Sequence, residues 1–134
     1  MKRSQLAALA LSCLVAAIAL AQETTPRVET MAFCTGIEER QPVGADSTFA
    51  VETEKVYCYT KITGVEGEST VTHVWFHGDE EMARVELPVR SASWSTWSSK
   101  RLLPGWAGAW RVDVLDADGT LLKSMPFTLG GGTP

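Results

Sequence analysis

The chain has 134 residues, 45% of them hydrophobic and 21% charged, and a formal net charge of −4. An acidic surface of this kind excludes a nucleic-acid binder, whose affinity rests on Lys and Arg neutralising phosphates, and disfavours anionic membrane surfaces for the same reason. The length suits one domain with one core, since a chain of this size buries roughly two-thirds of its unfolded surface.

At the start, Lys2 and Arg3 precede an apolar run from Leu6 to Leu20, and Ala19-Leu20-Ala21 supplies an A-x-A site before Gln22. Residues 1–21 read as a secretory signal peptide. The apolar run is shorter than the ~20 residues of a membrane span, so no membrane insertion is expected after cleavage. Cys13 is not read as a lipidation site, because apolar sequence continues past it. The mature chain would lose Lys2 and Arg3 but keep all sixteen acidic residues. The expected destination is the periplasm or the exterior.

Residues 22–27, QETTPR, form a polar segment, and 130–134, GGGTP, a flexible tail. Between them residues 28–129 read as one domain of short alternating strands. The first runs from Val28 to Ile37. The connection from Glu38 to Glu52 is the longest, and Gln41 to Asp46 marks it as a loop. Val56 to Ile62 follows, with Val56, Cys58 and Ile62 on one face. Gly64 to Gly67 ends it, and Thr70 to His77 resumes.

Gly78-Asp79-Glu80 turns the chain into Met82–Val89, where Ala83, Val85, Leu87 and Val89 alternate with Arg84, Glu86 and Pro88. Ser93–Leu102, Ala109–Leu115 and Thr120–Leu129 complete seven strands, and no segment sustains a helical period. The pattern predicts an all-β, immunoglobulin-like antiparallel sandwich, with a small β-barrel as the competing architecture.

Two cysteines remain after processing, Cys34 and Cys58, and a disulfide between them is the expectation for an oxidising compartment. Buried free thiols are the alternative. Asp116-Ala117-Asp118-Gly119 fails as a calcium loop, because that alignment places Val114 and Met125 where carboxylates are required. It reads as a hairpin turn with Gly119 at positive φ.

His73 and His77 share a strand face but stand ~13 Å apart at ~3.3 Å per residue, too far for one metal with bonds of ~2.0 Å. No metal or other cofactor is expected. The preferred reading places Trp75 between the two imidazoles on a half-exposed face. Serines cluster at 91, 93, 95, 98 and 99 without a G-x-S-x-G elbow. A hydrolase would have to pair Ser98 or Ser99 with His73, within about 3.2 Å.

Five tryptophans, Trp75, Trp94, Trp97, Trp106 and Trp110, fall in the C-terminal strands. Trp94 and Trp97, three apart on a strand, point to opposite faces. An outward ring suits stacking by a cation, for which Arg84, Arg90, Arg101 and Arg111 are at hand. A purely structural domain predicts both rings buried.

WSTWS at 94–98 matches the W-S-x-W-S signature of class I cytokine receptors over five residues only, without the second domain and further cysteines of those receptors. A longer succession is more specific. Pro42, Phe49, VYCYTKITG at 56–64, THVWFH at 72–77, WSTWSSK at 94–100, GAWRVDV at 108–114 and DADGTLL at 116–122 resemble the bacterial family called domain of unknown function 2914. That resemblance implies that His73, Trp75, Trp94, Trp97, Ser98, Lys100, Gly108 and Trp110 occupy motif positions. Many members carry Arg after the first Trp of WSTWSSK, where this chain has Ser95, which removes a local source of an Arg–Trp stack.

The expected function is therefore an exported non-enzymatic module. Its candidate ligand-binding residues are His73, Trp75, Trp94, Trp97, Ser98, Lys100 and Trp110, and its partner an envelope component, glycan or protein.

Overall fold

The structure, a computed structural model, describes residues 25–130. The expected signal peptide and residues 131–134 of the expected tail lie outside the described residues. Ten strands are formed: β1 (Arg27–Cys34), β2 (Gly36–Glu38), β3 (Gln41–Val43), β4 (Thr48–Phe49), β5 (Lys55–Thr63), β6 (Ser69–His77), β7 (Glu80–Val89), β8 (Ser93–Arg101), β9 (Gly108–Leu115) and β10 (Leu121–Leu129). Single 3₁₀ turns stand at Val51–Thr53 and Pro104–Trp106. Among the described residues no helix is long and apolar enough to cross a membrane.

The strands form a sandwich, not a closed barrel. Three strands in the order β1-β5-β8 face five in the order β4-β10-β9-β6-β7. All main pairings are antiparallel except the short β4–β10 pair. Period-2 alternation directs the packing. Val56, Cys58, Thr60 and Ile62 of β5 alternate inward and are fully buried, as are Val71, His73 and Trp75 of β6 and Trp110, Val112 and Val114 of β9. Phe127 is the hub of the core, with ring centroids 4.6 Å from Phe33, 6.0 Å from Phe49, 6.1 Å from Trp75 and 5.8 Å from Trp110. Offset and edge-on aromatic contacts of this kind add roughly 0.5–1.5 kcal/mol each beyond burial.

The N-terminal third departs from expectation. The strand expected over Val28–Ile37 breaks after Cys34 into β1 and β2, and the expected loop folds back as β3, making a hairpin. Its turn is Glu39-Arg40, with φ of 51° and 60°. Two successive left-handed residues suit a tight hairpin of primed type, for which Asn-Gly is the usual signal, so Glu-Arg announces nothing. Asp116–Gly119 turns as expected. The Asp116 carboxylate accepts from the amides of Asp118 and Thr120, each at 2.9 Å, and Gly119 has φ 83°.

The expected disulfide is absent: Cys34 and Cys58 are buried free thiols. Cys34 lies opposite Tyr57 and Cys58 opposite Phe33. This one-residue offset on adjacent strands turns the two side chains to opposite faces, whereas a bridge needs Cβ atoms that converge. Burial pushes both thiols upward in pKa, and for Cys58 the neighbouring Cys34 adds to the rise. Both are therefore expected to resist a maleimide in the folded chain. After denaturation of the mature chain, which lacks Cys13, without reductant, mass spectrometry should find two labels; finding none would establish a bridge.

Candidate functional site

The sandwich divides the seven candidate residues between an interior cluster and a surface row. In the interior, His73 of β6 has no exposed surface. Its Nδ1 lies 2.6 Å from Ser98 Oγ of β8, and its Nε2 lies 3.1 Å from Thr60 Oγ1 of β5. Trp75 Nε1 donates to the same Ser98 oxygen at 3.1 Å. Because an indole N–H only donates, Ser98 is free to donate its own hydrogen to Nδ1, and Nε2–H then donates to Thr60. Burial pushes His73 down to about 4, so the ring is neutral near pH 7, as this hydrogen-bond arrangement requires.

The Ser98–His73 distance meets the first geometric demand of a nucleophile–base pair, but its surroundings do not. Ser98 is 5% exposed and His73 is sealed. The far ring nitrogen meets a neutral hydroxyl, where catalytic triads place a carboxylate that stabilises the imidazolium. The hydrogen bonds of His77 go elsewhere: its Nε2–H donates to the Ala107 carbonyl at 3.0 Å. Ser99 is exposed and lies opposite Tyr57. The pair thus works as a satisfied polar plug between the sheets.

The half-exposed face expected around His73 and Trp75 is corrected by the same burial. Both side chains turn toward the opposite sheet, and Trp75 does not separate the imidazoles. His77 instead stacks on Trp110, with centroids 4.8 Å apart and planes 19° apart. Trp110 is itself 2% exposed and donates Nε1 to the Trp106 carbonyl at 2.8 Å. A ligand at the surface therefore cannot meet His73, Trp75 or Ser98, and of Trp110 only a margin is offered.

The surface row follows β8. Trp94 and Trp97 are each half-buried, as is Lys100. Trp94 lies opposite the inward Ile62, and Trp97 opposite Tyr59 on the other face, in keeping with the expected opposition of the two rings. The Arg40 guanidinium nevertheless reaches both, 4.7 Å from the Trp94 centroid and 5.1 Å from that of Trp97. Its Nη2 donates to the Ser95 carbonyl between them. One group can serve two opposed rings because β8 pairs only with β5, which leaves an open edge to reach round. Tyr59 Oη and Ser95 Oγ, 2.8 Å apart, complete this patch. Further along, Lys100 Nζ sits 5.0 Å over the half-buried Trp106.

Arg40 was not among the cations expected to cover the tryptophans. Of those, Arg84 pairs with Glu81, and Arg111 covers Phe76 at 4.0 Å while pairing with Asp113. The stack that Ser95 removes from β8 itself is supplied from 55 residues away, and Tyr59 likewise reaches the patch from β5. No local sequence signal marks either residue.

Three surface depressions have linings that include none of Trp94, Trp97 and Lys100. One of about 360 Å³ is bordered by Glu52, Glu54, Arg101, Leu103 and Pro104. Another of about 250 Å³ is bordered by Glu66, Glu68, Asp116 and Asp118. A third of about 190 Å³ is the one Trp110 borders. Among the described residues, no three His, Cys, Asp or Glu side chains group as a metal ion would need.

Residues 68–129 match the family model described as "Protein of unknown function (DUF2914)". The match supports the resemblance to that family seen in the sequence. The DUF2914 match covers β6 to β10, so THVWFH, WSTWSSK, GAWRVDV and DADGTLL lie within it, whereas Pro42, Phe49 and VYCYTKITG lie outside. In the fold the matched segment is not self-sufficient: β8 takes its strand pairing from β5, and Arg40 comes from the β2–β3 hairpin. No curated protein matches the chain. Among solved structures, a β-glucosidase from Listeria innocua, in complex with isofagomine, aligns at a TM-score of 0.43 and 9% identity. The alignment covers 82% of this chain but 16% of the glucosidase. A likeness of that extent carries no functional argument.

Proposed function

We propose that this chain is an exported, non-enzymatic binding module that engages an envelope component through the half-exposed row on β8, comprising Trp94, Trp97 and Lys100 with Arg40 beside them. One observation carries the reading. The partly exposed tryptophans of β8 and its flank each lie beneath a cation, whereas the Ser98–His73 pair that a hydrolase would use is sealed in the core. Rigid aromatic and cationic side chains at an open strand edge are the usual ingredients of binding hot spots. Export rests on the signal-like residues 1–21. The order β1-β5-β8 facing β4-β10-β9-β6-β7, with a parallel β4–β10 pair, supports an immunoglobulin-like assignment of the sandwich.

The test compares the mature chain with Trp97→Ala and Lys100→Ala for binding to purified envelope fragments, with circular dichroism reporting the fold. Trp97→Ala is expected to weaken binding at least tenfold while the sandwich persists. Unchanged binding by both folded variants would remove the β8 row as the site.

A further inference from the structure

We infer that Trp94, Trp97 and the Ser95 carbonyl form a guanidinium site, held by Arg40 in the resting chain and exchangeable for an arginine side chain of a protein partner. The inference rests on the binding reading above and narrows its partner to a protein that presents arginine.

The recognition chemistry is displayed by the resident group. A planar cation lies within 4.7 and 5.1 Å of two indole centroids, and one of its N–H groups donates to the Ser95 carbonyl. A quaternary ammonium would satisfy the rings but has nothing to donate. A lysine ammonium donates, yet it is compact, strongly hydrated and does not stack. Guanidinium alone among common side-chain cations answers both features.

The resident group is also held in a way that permits exchange. Arg40 is exposed, and among the described residues it forms no ion pair. Its backbone, with that of Glu39, adopts φ of 60° and 51°, a left-handed geometry that is costly for residues other than glycine. The hairpin that carries it is a two-stranded sheet of its own, sharing no ladder with either face of the sandwich. Moving Arg40 off the rings therefore breaks no strand pairing of the main sheets. The negative net charge of the chain favours approach of a cationic partner.

Arg40→Gly separates this exchangeable site from a merely structural clasp. It vacates the rings and places at a left-handed position the one residue that adopts it freely, so the hairpin keeps its turn. Tryptophan fluorescence would follow titration with N-acetyl-arginine amide and N-acetyl-lysine amide, with near-UV circular dichroism confirming the fold. Arg40→Gly is expected to bind the arginine derivative at least tenfold more tightly than the unsubstituted chain, and at least tenfold more tightly than the lysine derivative. Adding Trp97→Ala should abolish that binding. An arginine affinity no greater in Arg40→Gly than in the unsubstituted chain would overturn the inference, as would equal affinity for the two derivatives. Measured against envelope fragments, loss of binding on Trp97→Ala without guanidinium binding by Arg40→Gly would overturn the arginine site while leaving the β8 surface intact. In the unsubstituted chain, competition by the arginine derivative for envelope binding is the expected sign of exchange.

Discussion

Ser98→Ala is expected to lower the free energy of unfolding by about 2–4 kcal/mol, because it deprives two buried groups of their partner and each unsatisfied group costs roughly 1–3 kcal/mol. Those groups are His73 Nδ1, 2.6 Å from the lost oxygen, and Trp75 Nε1, 3.1 Å from it. Against a total of about 5–15 kcal/mol for a domain, that is a large fraction. The exposed neighbour offers the control: Ser99→Ala should stay within about 0.5 kcal/mol. Urea unfolding followed by tryptophan fluorescence measures both. If Ser98→Ala were as stable as the unsubstituted chain, the interior cluster would not be a structural plug, and the serine would have to be explained by chemistry instead.

The second large effect is acid sensitivity centred on His73. Its partners Thr60 and Ser98 are neutral, its strand neighbours are Val85 and Val114, and burial lowers it from 6.5 to about 4. Neutral imidazole is thus favoured in the folded chain, while the unfolded chain takes up a proton below pH 6.5. The stability present above pH 6.5 is lost as pH falls through 6.5 toward 4, by ~3 kcal/mol at about 1.4 kcal/mol per pKa unit. Carboxylates titrate near the lower end of that window, so the diagnostic is a difference between two chains. The gap in unfolding free energy between the unsubstituted chain and His73→Gln should shrink by ~3 kcal/mol between pH 7 and pH 4. A constant gap would mean that His73 is solvated or charged in the fold.

These two effects concern residues whose types the sequence displayed but whose roles it misassigned. Period-2 alternation located β5 to β10 to within two residues at each end, since each strand has one face on a core and one toward solvent. It failed between Glu38 and Glu52, because strands of two or three residues are too short to show a period and the Glu-Arg turn lacks the usual glycine. The alternation also identified His73 and Trp75 as facing the same way. Polar character then suggested the surface for His73, although Thr60 and Ser98, 13 and 25 residues distant, stand ready to satisfy it inside.

The same limit applied to the cysteines. Their count and the expected compartment favoured a bridge, but the one-residue register offset between β1 and β5 set their side chains on opposite faces. Register is a property of paired strands and is not written in either strand alone.

What the amino-acid sequence determined by itself was local: strand positions, the Asp116–Gly119 turn and the opposed directions of Trp94 and Trp97, all consequences of backbone geometry over a few residues. The tertiary structure decided which groups meet. It sealed Ser98 against His73 in the core and brought Arg40 across 55 residues to the open edge of β8. Such contacts depend on how sheets and hairpins pack, where one residue of register or one tight turn redirects a side chain from solvent to core.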